Sequence, residues 1–361
     1  IYLDFLGFKD DSVILNIQKK TTQKSPSNYD QQNPVLVAAK ENSSRITVAG
    51  YAVTPDGCWY YNERIFNLSK ITMEEMRDRF NTIDELIYRT GIFNQKGRGS
   101  HFITGSDMGV GKSTFMLAMM EKVPNEWGIG VLDTQNELQA KRKYPWKNII
   151  TLIEAGQMDV KRCFAIMLKM ARDVLYVGEI TQPREVGELI NASLRLNSGV
   201  GATLHSISPY EVITNLRNLM LRTDMYDKAD IAEADIARGL DLIFHLAKLP
   251  SGRIVVEYVV EVEYIDQDAY IREVNEGPLH DRWMSFLKLA QMALSKYMYS
   301  KAYKYNTIIR FDRKTETFIP VDLPSDQYFA KMRKYQTQQD VDEYVEFYKQ
   351  EKEKHKDFKG F

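Results

Sequence analysis

Residues His101 to Met120 read HFITGSDMGVGKSTFMLAMM. A short apolar run, a glycine-bearing loop, a Lys-Ser-Thr triplet and an apolar-faced helix follow one another. Such an arrangement can hold a phosphate chain. Backbone N–H groups must converge on the β-phosphate, which excludes side-chain bulk. A lysine must reach the β- and γ-phosphates, a hydroxyl must ligate Mg²⁺, and the helix N-terminus adds its dipole. The candidate loop is Gly105, Ser106, Asp107, Met108, Gly109, Val110, Gly111, Lys112, Ser113 and Thr114. Gly109 and Gly111 supply the close approach, Lys112 the charge and Ser113 the metal hydroxyl. The strict pattern G-x-x-x-x-G-K-[ST] has glycine where Ser106 stands. Serine takes positive φ less readily, and the neighbouring Gly105 can move the bend by one residue. The plainer alternative is a glycine-rich turn with a surface lysine.

Nucleotide hydrolysis also needs carboxylates for Mg²⁺ and for the attacking water. The apolar run DVLYVGE ends in Gly178-Glu179 and sets a carboxylate at a strand end. VLDTQNELQ places Asp133 and Glu137 just past another strand. GATLHSISP brings His205 to a third strand end, where a histidine can bond a γ-phosphate. Taken singly, each has a bland reading: a solvated glutamate, an aspartate-capped turn and a histidine satisfied near the core.

These residues need strands and helices to position them. From His101 onward the two alternate, through HFIT, KSTFMLAMMEK, GIGVLDT, CFAIMLKMA, DVLYVGE, REVGELINASLRLN and GATLHS. That pattern predicts an α/β domain with a largely parallel sheet. LDLIFHLAKL and RIVVEYVVEVEYI, joined at Pro250–Gly252, read as an antiparallel hairpin. Upstream, SRITVAGYAV and CWYYNERIF flank TPDG and read as another. SKITMEEMRDRFNTIDELIYRTG reads as helical, capped at Ser69 or Thr72 and stopped at Gly91. Residues 1–17 suit a helix or strand fragment, and the polar 18–34 a loop. The expected organisation is a small α+β N-terminal domain with its linker over 1–95, the α/β domain over 96–277, and a mostly helical extension over 278–361. The charge-rich QQDVDEYVEFYKQEKEKHKDFKGF reads as a solvated helix or frayed tail.

Bulk properties narrow the class. The chain has 361 residues, 44% hydrophobic and 27% charged, which is globular composition. A net charge of −1 gives no global attraction to nucleic acid or anionic lipid. Cys58 and Cys163 have no metal or redox spacing, so a reducing compartment is expected. No apolar run approaches the ~18 residues of a membrane span, and no signal peptide is visible. The chain begins at Ile1 and not Met, so a longer natural N-terminus is expected.

Together the motifs resemble those of the traffic ATPases of type II and type IV secretion, a RecA-like superfamily that includes conjugation motors and Tad/Flp-type pilus-assembly motors. Four boxes occur in the family's order: GSDMGVGKST resembles its Walker A, VLDTQNELQ its Asp box, DVLYVGE its Walker B, and LNSGVGATLHSISP its His box. SSRITVAGYAV and NERIF are similar to N-terminal segments whose arginines point at a neighbour's nucleotide. The clear cover is about residues 43 to 265. The resemblance implies a RecA-like P-loop NTPase domain that binds ATP and Mg²⁺, with Lys112 and Ser113 in the Walker A roles. It implies Glu179 near the metal, Asp133 or Glu137 on the attacking water, His205 as the His-box histidine, and Arg45 and Arg64 as arginines acting in trans. It further implies a homo-hexamer, cytoplasmic and peripheral at the inner face of the cell membrane, serving inner-membrane components of a secretion, conjugation or pilus machine. Sequence-specific nucleic-acid binding is not expected. Several positions depart from the family: Ser106 in the loop, Leu132 and the later Glu137 in the Asp box, and Thr181 where an arginine is usual, with Arg184 nearby. The segment before His205 also lacks the usual upstream histidine. A RecA-like NTPase translocating nucleic acid and a nucleotide-binding assembly platform with little turnover are the competing functions.

Overall fold

The computed structural model describes residues 10–356, except 24, 26–27, 40–43, 56–57, 65–69, 134–137, 155–157, 197–198, 266–275 and 299–300. Two compact units divide the chain between Ser69 and Lys70. The first holds α1 (Asp11–Thr22), β1 (Val35–Ala39), β2 (Arg45–Ala49) and β3 (Tyr60–Arg64), the strands forming one antiparallel sheet in that order. The β2–β3 pairing is the expected upstream hairpin. Helix α1 runs into the stretch expected to be a loop. Its polar Gln18 and Thr22 are buried, and Gln18 Nε2 donates to Tyr60 O at 2.9 Å. Polar residues here bind helix to sheet, so polarity did not mean solvent.

The second unit opens with α2 (Met73–Asp78) and α3 (Glu85–Lys96). Thr72 and Glu75 form a capping box at the start of α2. Helix α3 does not stop at Gly91; it continues to Lys96 and ends at Gly97. A Cβ on Gly91 would lie 2.8 Å from Met73 Cε, so this glycine serves a close helix approach. Apolar residues of both helices join the core of the second unit. The expected boundary near residue 95 therefore falls inside that unit.

Strands and helices then alternate: β4 (His101–Gly105), α4 (Lys112–Glu121), β5 (Ile129–Leu132), α5 (Ala140–Lys143), β6 (Ile149–Leu152), α6 (Val160–Lys169), β7 (Val174–Val177), α7 (Pro183–Leu196) and β8 (Gly199–His205). After α8 (Val212–Met220) and α9 (Ala229–Gly239) come β9 (Leu242–Lys248) and β10 (Ile254–Tyr264), the expected antiparallel hairpin. Next follow α10 (Leu279–Met298), β11 (Tyr303–Asp312), β12 (Thr317–Pro320), α11 (Asp326–Met332) and α12 (Gln338–Lys354). The nine-stranded sheet has the order β12-β11-β10-β9-β4-β8-β7-β5-β6, parallel from β9 to β6 and antiparallel from β9 to β12. Its parallel strands β4, β5 and β7 are buried along their whole length, as strands covered on both faces must be. The two larger hydrophobic clusters of this unit include α2, α3, α4 and α12 in one and α6 to α9 in the other.

The C-terminal stretch departs from the expected helical extension, because β11 and β12 widen the main sheet. Nor is α12 a frayed tail. Val341, Tyr344 and Tyr348 recur at helical spacing and are buried. Tyr344 stacks on Phe93 with ring centroids 4.4 Å apart, and Tyr348 Oη donates to Ile308 O at 2.6 Å. Among the described residues no helix is long and apolar enough to cross a membrane.

Two histidines are locked into the sheet. His101 Nδ1 lies 3.2 Å from Gly99 O and Nε2 lies 3.3 Å from Gln95 Nε2, a pattern suited to a neutral ring with the proton on Nδ1. His245 Nδ1 lies 2.7 Å from Thr104 Oγ1. Burial pushes both pKa values down from 6.5 to about 4. An unfolded histidine takes up a proton below pH 6.5, whereas these native rings resist it until about pH 4. Each therefore costs stability as pH falls through that window, by at most about 1.4 kcal/mol per pH unit. Urea unfolding of His101→Gln from pH 7 to 4.5 should show a shallower loss of stability than wild type. Parallel pH profiles would remove His101 as a source of acid sensitivity.

Candidate nucleotide site

Four strands deliver the candidate residues to one edge of the sheet. In the order β5-β7-β8-β4, their carboxyl ends lead to Asp133, Gly178-Glu179, His205 and Gly105. Gly105 and His205 are register partners. Strand β8 lies between the loop-bearing β4 and the Gly-Glu strand β7. A carboxyl edge of a parallel sheet is where open α/β folds place ligands.

The loop leaves β4 at Gly105 and enters α4 at Lys112. Gly109 and Gly111 both have positive φ, 72° and 84°. Ser106 does not, so serine is tolerated at the entry. The glycine that matters there is Gly105, where a Cβ would lie 2.7 Å from Val110 Cγ1 and 2.9 Å from Leu246 O. Val110 is buried and anchors the loop, while Met108 is exposed. Ser106→Gly should accordingly leave nucleotide affinity within about twofold, while Gly105→Ala should lower stability by about 1–3 kcal/mol through overpacking. Calorimetry and urea titration check the two halves. A Gly105→Ala protein as stable as wild type would show that the loop can be re-aimed.

Lys112 is buried at the head of α4, and Ser113 and Thr114 are half-buried beside it. Lys112 Nζ lies 3.4 Å from His205 Nδ1 and 3.2 Å from Nε2, and Nε2 lies 3.1 Å from Glu179 Oε1. One neutral tautomer satisfies the group. Nε2–H donates to Glu179, and Nδ1 accepts from Lys112. A residue at a helix head and two at strand ends thus form one chain, ammonium to imidazole to carboxylate.

Neighbouring groups hold this chain in place. Thr203 Oγ1 donates to Gly178 O at 2.7 Å, and Ile180 N donates to Thr203 O at 2.8 Å, tying the Gly-Glu turn to β8. Buried Glu185 accepts from Thr181 N and Gln182 N, both at 2.7 Å, and fixes the turn after Glu179. Its burial raises its pKa, partly offset by those bonds. Asp133 is buried, and its Oδ2 accepts from Leu138 N at 2.8 Å. A Cβ on Gly178 would sit 3.5 Å from Asp133 Oδ1, an ordinary contact, so the two strand ends lie side by side. Nearby, burial lowers the pKa of Lys143, against the pull of Asp133. Thr203 and Glu185 were not singled out from sequence. Each carries a signal, a β-branched hydroxyl within the His-box strand and an acid in the first turn of α7.

Other candidates lie elsewhere. Arg184 pairs with Asp159 at 3.8 Å on the surface. Glu137 lies outside the described residues. Arg45 and Arg64 belong to the N-terminal unit, where β2 and β3 place them directly opposite each other. Among the described residues no cluster of three or more His, Cys, Asp or Glu could hold a resident metal. Mg²⁺ bound with a nucleotide is commonly held by one or two protein oxygens, phosphates and waters. Ser113 and Glu179 are the oxygens at hand.

The strand order and the Lys112 loop define a RecA-like P-loop fold. No protein-family model matches the chain, and no curated protein matches it. Among solved structures it is similar to the VirB11 ATPase of the Brucella suis type IV secretion system in complex with sulphate, at 16% identity over 69% of this chain and 80% of that one, with a TM-score of 0.43. It is also similar to the pilus retraction motor PilT with bound ADP, at 16% identity over 73% and 69%, TM-score 0.46. The Legionella pneumophila ATPase DotB gives 12% identity over 78% and 76%, TM-score 0.47.

Proposed function

We propose that the chain is a traffic ATPase that binds and hydrolyses Mg-ATP at the Lys112 loop, working as a homo-hexamer at the inner face of the cell membrane for a secretion, conjugation or pilus machine. The observation that carries this reading is the Lys112–His205–Glu179 chain at the carboxyl edge of the sheet. A static structural lysine has no need of two positive-φ glycines in the loop before it, nor of a histidine and a carboxylate gathered from two other strands. The loop amides and Lys112 take the phosphates, and Ser113 and Glu179 face the metal. Mg²⁺, bound with the nucleotide, offsets charge on the β- and γ-phosphate oxygens. When Lys112 turns to phosphate, His205 keeps Glu179 as its partner and offers its other ring nitrogen to the site. Asp133, buried beside Gly178, accepts from Leu138 N at 2.8 Å.

Glu179→Gln tests the assignment. The amide keeps the shape but removes the negative charge, which should hurt the transition state more than the ground state. Expected is Mg-ATP affinity within about threefold of wild type and turnover reduced about 10²-fold, a usual size for one electrostatic group. Wild-type turnover in this variant would move the role to Asp133 or Glu137. A wild-type protein that binds Mg-ATP without hydrolysing it would favour the assembly platform.

A further inference from the structure

Away from the phosphate loop, strands β10 to β12 carry a cavity of about 620 Å³. A cross-strand row contributes its floor: Tyr258 pairs with Arg310, and Arg310 with Ile319. Tyr210, from the 3₁₀ turn Pro209–Glu211 after β8, forms one wall, and the end of α12 adds Lys352 and Lys356. The charged side chains of the lining are all basic. Asp322 at 3.4 Å from Lys352 and Glu353 paired with Lys356 offset the two lysine charges, and Asp312, two residues along β11, acts on Arg310. Arg310 Nε is buried and makes no hydrogen bond among the described residues. A buried donor on a cation is unfavourable without an acceptor, and the outer nitrogens of this guanidinium are what the cavity lining can offer an anion. Lys352 Nζ donates to Val321 O, and an ammonium has further donors to offer. The rings of Tyr210 and Tyr258 meet edge to face at 6.0 Å, and Tyr210 remains exposed, so aromatic surface lines this side of the cavity.

We propose that this cavity binds an anion carried on a planar ring, an aryl or nucleobase phosphate, with Arg310 and Lys352 on the charge and the tyrosine pair against the ring. A guanidinium fork suits phosphate oxygens, and tyrosine faces take planar rings. The site also touches the elements that build the phosphate loop. Tyr210 Oη is 2.8 Å from Thr307 Oγ1 in β11, and Tyr210 follows His205 in the same connection. The Tyr258 ring lies 6.4 Å from that of His245, which bonds Thr104 in β4. An occupant would brace both the His205 segment and the loop-bearing strand. The proposal does not rest on the nucleotide reading, because the cavity lining includes no residue of the loop.

The test is binding of 1-naphthyl phosphate, followed by its fluorescence, to the full chain and to its Lys112→Ala variant. Inorganic phosphate and 1-naphthol serve as the two halves of the probe. Saturable binding of equal strength in both proteins is expected, with each half at least about tenfold weaker. Arg310→Gln and Tyr210→Ala should each weaken binding about tenfold, the scale of one charge-assisted hydrogen bond or one aromatic contact. Should Arg310→Gln fail to fold, the surface double variant Lys352→Ala/Lys356→Ala decides, with a similar loss expected. Absence of saturable binding, loss of binding in Lys112→Ala, or undiminished affinity in the folded cavity variants would overturn the proposal. Inorganic phosphate or naphthol binding as tightly as the whole probe would overturn it too, leaving a plain phosphate site or an apolar pocket.

Discussion

Lys112→Ala should abolish measurable nucleotide binding while leaving the fold intact. Lys112 is the ammonium at the head of α4, with Gly109 and Gly111 at positive φ before it. Its charge-assisted bonds to phosphate oxygens should each be worth about 1.5–3 kcal/mol, so losing two weakens binding by about 10²-fold or more. Among the native contacts it gives up is the long bond to His205 at 3.2–3.4 Å. That ring keeps Glu179 at 3.1 Å. Thermal unfolding should move by only a few degrees. Calorimetry with a non-hydrolysable ATP analogue reads the affinity, and a folded Lys112→Ala protein that binds as wild type would remove the loop as the nucleotide site.

Much of this site was legible because its chemistry dictates local patterns. A loop that must bring amides to phosphate needs glycines before a lysine, and the strands that aim Glu179, Asp133 and His205 are short apolar runs. The order of those strands is another matter. Nothing in DVLYVGE or GATLHS states that β8 lies between β4 and β7, and that placement lets His205 reach both Lys112 and Glu179. The C-terminal stretch failed for a different reason. In α12 the buried Val341, Tyr344 and Tyr348 sit among lysines and glutamates, so average polarity hid a helical spacing that was present. Gln18 and Thr22 misled in the same way, because a buried polar side chain is identified by its partner and not by its type. At Ser106 the departure from the strict loop pattern lost its weight once Gly105 proved to be the crowded position.

The largest kinetic effect is expected from Arg45 and Arg64. Most arginines on a strand surface are solvated charges worth little. These two stand directly opposite each other across β2 and β3. The γ-phosphoryl group develops charge on its oxygens that two guanidinium forks can share. Supplied in trans, such a group contributes ~10³–10⁵ in rate. Arg45→Ala or Arg64→Ala should therefore leave nucleotide affinity of the subunit nearly intact and depress turnover by about that factor. Complementation separates this from a structural role. Mixing an arginine variant with Lys112→Ala, each nearly inactive alone, under conditions of subunit exchange places an intact loop opposite an intact arginine at some interfaces. Recovered hydrolysis, at a fraction of wild type set by the mixing ratio, is the expected result. A structural defect cannot be complemented in this way, because each damaged subunit carries its own lesion. If mixing restores nothing although labelled subunits are seen to exchange, or if monomers hydrolyse ATP at the full rate, the arginines do not act across an interface.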